Sequence, residues 1–246
     1  MIKYLNTSEG VMGYIEFLKK KKESFTWKFT NYTHTIEVNG QKRFFYDGAG
    51  DSFKLFAAQK KLEKDIRASE ERGMYFDEIE HSEITYNLFN GELLLPCITF
   101  GEVWNIDLKS AYLQALYNVG LITRETYEYI QCSPKPIRLK SVGMLATRKN
   151  CFTYEKGEFK TYTSTTKDLK KYFFLASKIV GDLLSKLKNM CDNNLFIFFW
   201  VDGIYILNRG DHEATRELMK MEIIKAGFNY SEELLTNFHT TEKSII

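Results

Sequence analysis

An apolar run interrupted by one charged residue constrains the fold of this chain more than any other feature. It reads "NLFIFFWVDGIYILN" over 194–208, with Asp202 and Gly203 near its centre. Two apolar segments of strand length joined by Asp-Gly predict a β-hairpin. Strands this apolar are typical of a sheet that is covered rather than of an exposed ribbon. We therefore expect the carboxylate of Asp202 at the tip of a hairpin close to the core.

Composition limits the class of protein. The 246 residues, 44% of them hydrophobic, suffice to bury a core as one large domain or as a domain with a smaller lobe. The net charge of +2 predicts no global basic field, so any nucleic-acid-binding surface must be local. The four scattered cysteines argue against a zinc site or a disulfide framework. Without an apolar signal segment or membrane span, we expect a cytoplasmic protein.

Periodicity along the chain predicts an α+β fold in which an antiparallel sheet packs against helices. The N-terminal part is expected to contain a helix, a hairpin turning at Asn39-Gly40 and an amphipathic helix over 51–72. Strands are expected over 83–107, with a turn at Asn90-Gly91, and a helix follows as far as Gly120. The least readable part is 123–162. A domain boundary is expected near residue 95, separating an N-terminal region (1–95) of unknown role from a second domain (96–246).

The C-terminal part is expected to alternate helices and strands. A long helix over 167–190 leads into the apolar hairpin, and a second helix ends at Gly227 before a strand-like tail. The apolar face of that second helix is predicted to carry Ala214, Leu218, Met221 and Ile224.

Two carboxylates are expected near the core at the ends of strands, Asp107 after the first strand and Asp202 at the hairpin. A carboxylate that loses hydration there needs backbone hydrogen bonds, a cationic side chain or a metal ion. Two converging carboxylates suit Mg²⁺, which prefers oxygen ligands and keeps water and substrate phosphates in its shell. Each residue alone also has a simpler interpretation, Asp202 as a turn residue and Asp107 as a helix N-cap.

The surroundings of both aspartates resemble the palm domain of B-family DNA polymerases. "NIDLKSAYLQAL" is similar to motif A, in which Asp, Ser and Tyr stand at the spacing of Asp107, Ser110 and Tyr112. "FFWVDGIYIL" is similar to motif C, an apolar hairpin with a catalytic Asp, and it follows a long helix as in the family. Reverse transcriptases are the second choice, since their palm also has Asp followed five residues later by an aromatic residue.

The resemblance implies a palm-like catalytic domain over 96–246. Asp107 and Asp202 would be the catalytic, metal-binding residues, with Mg²⁺ or Mn²⁺ as cofactor and the carbonyl of Leu108 as a further ligand. Ser110 and Tyr112 would contact the substrate, and the ring of Tyr112 would lie under the sugar and select deoxynucleotides. Without the motif, Tyr112 is interpreted as a core tyrosine of an amphipathic helix.

The match departs from the family at several positions. Trp200 stands where the B-family motif has its first Asp, and Gly203 stands where reverse transcriptases have their second. The fingers motif is degenerate in "RLKSVGMLATRKN", although Arg138, Lys140 and Arg148 are candidates for binding the triphosphate. A solvated basic face explains those three equally well. Exonuclease motifs are not recognised, and about forty residues after the hairpin are too few for an ordinary thumb.

The sequence thus predicts a compact nucleotidyltransferase that adds nucleotides to a nucleic-acid 3′-hydroxyl by two-metal phosphoryl transfer. Its partners would be a primer-template, a nucleoside triphosphate and a protein that supplies the thumb or processivity function, but no membrane. A role in DNA replication or an origin in a phage or mobile element would fit its size. The alternatives are a palm-derived nucleic-acid-binding or regulatory protein, a reverse transcriptase-like enzyme, and a coincidence of both motifs in an unrelated α+β protein.

Overall fold

The chain folds into an α+β structure with two antiparallel sheets. The computed structural model describes residues 8–30, 33–45, 49–94, 97–166, 168–209 and 212–239. The helices within these ranges are α1 (Ser8–Lys20), α2 (Ala49–Glu71), α3 (Ala111–Asn118), α4 (Arg124–Gln131), α5 (Lys135–Gly143), α6 (Lys170–Met190) and α7 (Glu213–Lys225). The strands are β1 (Phe25–Phe29), β2 (His34–Val38), β3 (Gln41–Phe45), β4 (Asn87–Phe89), β5 (Thr99–Leu108), β6 (Arg148–Glu155), β7 (Glu158–Thr166), β8 (Phe196–Trp200), β9 (Gly203–Leu207) and β10 (Tyr230–His239). In the described part of the chain, no helix has the length and apolar content that crossing a bilayer requires.

The chain divides into two compact units, each with one five-stranded sheet. Unit 1 comprises Met1–Asp65 and Glu128–Lys171, and unit 2 comprises Ile66–Tyr127 and Tyr172–Ile246. Every division point falls within a helix, in α2, α4 and α6. The single boundary expected near residue 95 does not coincide with the limits of these units.

Unit 1 contains the sheet β3-β2-β1-β6-β7, whose neighbouring strands are all antiparallel. The β2–β3 hairpin turns at Asn39 and Gly40 with φ of 48° and 79°, which confirms the turn predicted from that pair. Helix α1 packs its apolar face on the sheet and forms a core of Val11, Ile15, Leu18, Phe25, Ile36, Phe45 and Tyr154.

The β6–β7 hairpin lies in the region where the sequence was least readable. Strand β7 is exposed along its whole length, so it lacks the alternation of polar and apolar burial that marks a strand.

Unit 2 contains the sheet β10-β5-β9-β8-β4, again antiparallel at every pairing. The apolar segments that flank Asp202 form β8 and β9, and almost every residue of β8 is buried, which confirms the predicted hairpin. Helix α6 precedes the hairpin and buries its apolar stripe, also as expected. Asn90-Gly91 does not join two paired strands, because β4 pairs with β8 and β5 pairs with β9 and β10. Instead, the Asn90 side chain donates to the carbonyls of Asn193 and Phe196.

Helix α7 buries a different face from the one that its periodicity predicts. Leu218, Met221 and Ile224 are 55%, 64% and 62% exposed, whereas Met219 and Ile223 are buried. The reason lies in the neighbouring face, where the cationic groups of Arg216 and Lys220 lie over the Trp104 ring, 5.7 and 5.6 Å from its centre. Lys220 also forms an ion pair with Glu232, which accepts a hydrogen bond from the indole of Trp104. These contacts fix the rotation of α7 against β5 and β10.

Candidate active site

Asp107 lies near the end of β5, on the face of the unit 2 sheet that it shares with Gly203. The two residues stand directly opposite each other in the antiparallel β5–β9 pair, and Trp200 of β8 stands opposite Gly203 in turn. Asp107 is exposed, so the expectation that its carboxylate loses hydration is wrong for this residue. Its interpretation as an N-cap is also wrong, because the cap position of α3 is Ser110.

Asp202 occupies the second position of a two-residue turn, not the first as Asp-Gly chemistry predicts. Trp200 pairs with Gly203, so the turn consists of Val201 and Asp202, and Gly203 begins β9. Val201 has φ of 57°, a left-handed conformation that costs a β-branched residue about 1–3 kcal/mol. Its N–H donates to the carbonyl of Tyr86 at 2.8 Å, which helps to hold the turn in this conformation. The turn places the half-buried Asp202 beside the end of β5.

A backbone hydrogen bond connects Asp202 to β5, the strand that contains Asp107. The N–H of Leu108 donates to the carbonyl of Asp202 at 2.9 Å, so the residue after Asp107 is bonded to Asp202. The phenol of Tyr205 lies near both carboxylates. Its pKa is raised by burial, and further by the charges of Asp107, Asp202 and Glu233. The two aspartates that the sequence singled out are therefore neighbours at one end of one sheet.

Asn105 belongs to the same constellation, and sequence reasoning missed it. Its Oδ1 is buried and has no hydrogen-bond partner in the structure. A Cβ built on Gly203 would lie 3.5 Å from this oxygen and 3.5 Å from Oδ1 of Asp107, so both oxygens face the same small volume above Gly203. The signal was available, because residues two apart in a strand share a face and Asn105 stands two positions before Asp107.

Tyr112 lies in the first turn of α3 and close to Asp202. Burial, followed by the nearby Asp202 carboxylate and Tyr86, raises the pKa of Tyr112 to about 12, against a hydrogen bond with Ser177 that lowers it. The ring of Tyr112 packs against Phe173 of α6, with centroids 5.8 Å apart. The hydroxyl therefore stays protonated at any physiological pH, and the ring stands half-buried between the helices and the hairpin turn.

Ser110 and Leu108 flank the change from strand to helix. Ser110 has φ of 50°, a left-handed conformation, and its side chain makes no capping hydrogen bond to α3. The side chain of Leu108 is buried, with only 1% exposed. Left-handed backbone thus stands close to both aspartates, at Ser110 after Asp107 and at Val201 before Asp202. Such clustering of unusual backbone is typical of functional sites.

The basic residues proposed for the triphosphate are not in unit 2. Arg138 and Lys140 lie on α5, and Arg148 begins β6, all within unit 1. Lys140 and Arg148 are exposed, whereas Arg138 is half-buried and its Nε is buried without a hydrogen-bond partner. The sequence interval read as a degenerate fingers motif folds into α5, a short 3₁₀ turn and the start of β6.

The face around Asp107 is otherwise aromatic. Three rings on neighbouring strands form a row. The centroids of Phe89 and Phe198 are 5.9 Å apart, and those of Phe198 and Tyr205 are 4.2 Å apart. Trp200 is 52% exposed and contacts Phe89. Within the described ranges, no group of three or more His, Cys, Asp and Glu side chains is placed to share a metal ion. Asp107, Asp202 and Asn105 together offer two carboxylates and an amide oxygen as oxygen ligands.

Comparison with known proteins finds no counterpart for this arrangement. No protein-family model, curated protein or solved structure matches the chain.

Proposed function

We propose that this protein is a compact nucleotidyltransferase of the palm type, which extends a nucleic-acid 3′-hydroxyl with nucleotides from nucleoside triphosphates. The observation that carries the proposal is the placement of Asp107 and Asp202. They are 95 positions apart in the chain, yet Asp107 lies near the end of β5, Asp202 lies in the β8–β9 turn, and the N–H of Leu108 donates to the carbonyl of Asp202 at 2.9 Å. Motif resemblance selected the two residues without any knowledge of the sheet, so their adjacency is independent support.

The residues present suit a divalent metal ion. Asp107 and Asp202 would supply carboxylate oxygens, and the unpartnered Oδ1 of Asn105 would supply a neutral oxygen at the same place. A buried amide oxygen without a partner is costly, so a ligand that satisfies it accounts for its persistence. Bound Mg²⁺ or Mn²⁺ would lower the pKa of the attacking hydroxyl and stabilise the charge on the departing pyrophosphate.

The chain's own side chains would position the substrate. Tyr112 would place its uncharged ring beneath the incoming sugar and exclude a 2′-hydroxyl by contact. Packing against Phe173 and the hydrogen bond with Ser177 hold that ring in place. Asp107 and Asp202 would hold the metal ion beside which the reacting oxygens are aligned, so that catalysis comes from positioning and charge stabilisation.

A second candidate function is nucleic-acid binding without chemistry. It is favoured by the exposed ring of Trp200, which stands where the B-family motif has a carboxylate, and by the lack, among the described residues, of three or more His, Cys, Asp or Glu side chains placed to share a metal ion. In this case the aromatic residues near Asp107 would stack on bases.

Primer extension distinguishes the two functions. The full chain is incubated with a labelled primer-template, nucleoside triphosphates and Mg²⁺ or Mn²⁺. We expect Asp107→Asn and Asp202→Asn each to lower the extension rate at least about 100-fold. The matched control is Asp182→Asn, since Asp182 is an exposed carboxylate on α6 that pairs with Lys178 in the same helix. Extension that survives either active-site substitution rejects the mechanism, and binding of primer-template without extension supports the second candidate.

A further inference from the structure

The two units carry opposite net charges, although the whole chain is almost neutral. The sequence of unit 1 contains 22 Lys and Arg against 12 Asp and Glu, whereas that of unit 2 contains 12 against 20. A net charge of +10 within little more than a hundred residues is a strong attraction for polyanions. The basic excess that the overall composition allowed therefore belongs to unit 1, whereas the carboxylates of the candidate active site belong to unit 2.

One face of the unit 1 sheet carries a contiguous set of rings, named here the aromatic platform: Trp27, Phe29, Phe152 and Tyr162. Trp27, Phe152 and Tyr162 stand directly opposite one another on β1, β6 and β7, and Phe29 lies two residues beyond Trp27 on the same face. The centroids of Phe152 and Tyr162 are 4.8 Å apart, those of Trp27 and Phe152 are 5.2 Å apart, and those of Trp27 and Phe29 are 4.7 Å apart. The rings thus form a continuous surface across three strands.

Helix α1 covers only part of this face. Its core includes Phe25 and Tyr154, and Trp27 and Phe152 pack against that core but are only half-buried. Beyond it, Tyr162 is 50% exposed and Phe29 is half-buried. An aromatic surface left to solvent on a folded unit is typical of a binding site.

Polar groups border the aromatic platform. Tyr162 Oη and Ser164 Oγ both donate to Oδ1 of Asn150, at 2.9 and 3.0 Å. Arg148, Asn150 and Phe152 alternate along β6, so the exposed Arg148 stands on the same face as the rings. A stacking surface with a hydrogen-bonding margin and a cation at its end matches the chemistry of a nucleobase attached to a phosphate.

We propose that the aromatic platform of unit 1 binds single-stranded nucleic acid, with bases stacked on its rings and phosphates neutralised by the basic excess of the unit. Single strands are the fitting occupant because the bases of a duplex present only their edges, whereas stacking requires a free base face. The surplus of positive charge selects a polyanion over an apolar peptide. This inference goes beyond the proposed chemistry, since it concerns a unit that contains neither Asp107 nor Asp202.

The first test measures binding of a short labelled oligonucleotide to the full chain by fluorescence anisotropy, in the presence of a chelator so that metal-dependent binding does not contribute. We expect Tyr162→Ala and Arg148→Ala each to weaken binding about tenfold, whereas Tyr162→Phe binds like the wild type. The matched controls are on the opposite face of the same sheet, where Phe44→Ala (Phe44 is 56% exposed) should leave the affinity unchanged and Lys149→Ala should lower it much less than Arg148→Ala.

Several results would overturn the proposal. They are unchanged affinity of Tyr162→Ala, equal losses in Phe44→Ala and Tyr162→Ala, and tighter binding of duplex than of single strand. Binding of anionic vesicles in place of oligonucleotides, lost in Tyr162→Ala, would also count against it. Photocrosslinking to an iodouracil-containing oligonucleotide should label peptides of β1, β6 or β7, and labelling confined to unit 2 would contradict it.

The two proposals fail in different ways. Oligonucleotide binding that depends on Tyr162, without primer extension under any metal, rejects the catalytic function alone. Metal-dependent extension by a chain whose oligonucleotide affinity is unaffected by Tyr162→Ala rejects the platform alone.

Discussion

At the scale of single residues, Asn105 combines a cost in stability with a proposed gain in function. Its Oδ1 is buried without a partner, which costs the fold free energy in the absence of a ligand. Replacement by leucine, which has a similar shape and no polar group, should therefore raise the free energy of unfolding of the metal-free protein by about 1 kcal/mol.

The same substitution should weaken Mn²⁺ binding, whereas Asn105→Asp should strengthen it by adding a third carboxylate. Denaturant unfolding measures the first effect, and titration of Mn²⁺ followed by electron paramagnetic resonance measures the second. A leucine variant that is less stable and binds Mn²⁺ as tightly as the wild type would remove Asn105 from the site.

Tyr112 gives a prediction about alkaline stability. Burial raises the pKa of Tyr112 to about 12, whereas an unfolded chain leaves the pKa of tyrosine near 10. The folded state therefore binds more protons between these two values, and stability is lost as the pH rises from 10 through 12. Burial also raises the pKa of Tyr86, Tyr127 and Tyr205, so the wild type should lose stability steeply over this range.

Tyr112→Phe keeps the ring and removes one titrating group, so its denaturant midpoint should fall less between pH 9 and pH 11 than that of the wild type. Tyr75→Phe is the matched control, because Tyr75 is 77% exposed. Equal pH dependence of all three proteins would show that the Tyr112 hydroxyl does not lie in the environment described.

Motif spacing in the sequence singled out residues that lie close together, whereas positions decided by packing were not predictable. Asp107, Asp202 and Tyr112 were identified by spacing and lie close together. The turn consists of Val201 and Asp202, one residue earlier than the Asp202-Gly203 turn that the sequence predicts. Val201 adopts a positive φ there while its N–H donates to the carbonyl of Tyr86. No local propensity encodes that compensation, since it comes from a distant part of the chain.

At the scale of elements, long segments with clear periodicity were predictable. Helix α6, the β8–β9 hairpin and the Asn39-Gly40 hairpin follow from their patterns. The β6–β7 hairpin was not recognised, since β7 is exposed on both faces and only pairing with β6 makes it a strand. The rotation of α7 was also mispredicted, because its more apolar face is the exposed one.

The rotation of α7 can be tested with a pair of methionines two positions apart. Met219 is fully buried, so Met219→Ala should lower the free energy of unfolding by about 2–5 kcal/mol. Met221 is 64% exposed, so Met221→Ala should change it by less than about 0.5 kcal/mol. Chemical denaturation measures both, and the reverse order of effects would mean that the helix packs on the face that its periodicity indicates.

At the scale of the whole molecule, the near-zero net charge of the chain hides two units of opposite net charge. A near-neutral chain consists of a basic unit with an aromatic sheet face and an acidic unit with the two candidate catalytic carboxylates. A boundary near residue 95 was the natural expectation because the pattern changes to strands there. Each unit is instead built from two separate stretches of chain, and periodicity within a window carries no information about such long-range assembly.

In the proposed function, Asp107 and Asp202 act together on the same reaction. The most direct measurement is the primer-extension rate of the double variant, with both residues changed to Asn, compared with each single variant. Substitutions of residues that act as one unit have non-additive effects, so we expect the double variant to be no slower than the slower single variant. A double variant whose loss equals the product of the two single losses, or single variants that extend primers at the wild-type rate, would contradict it.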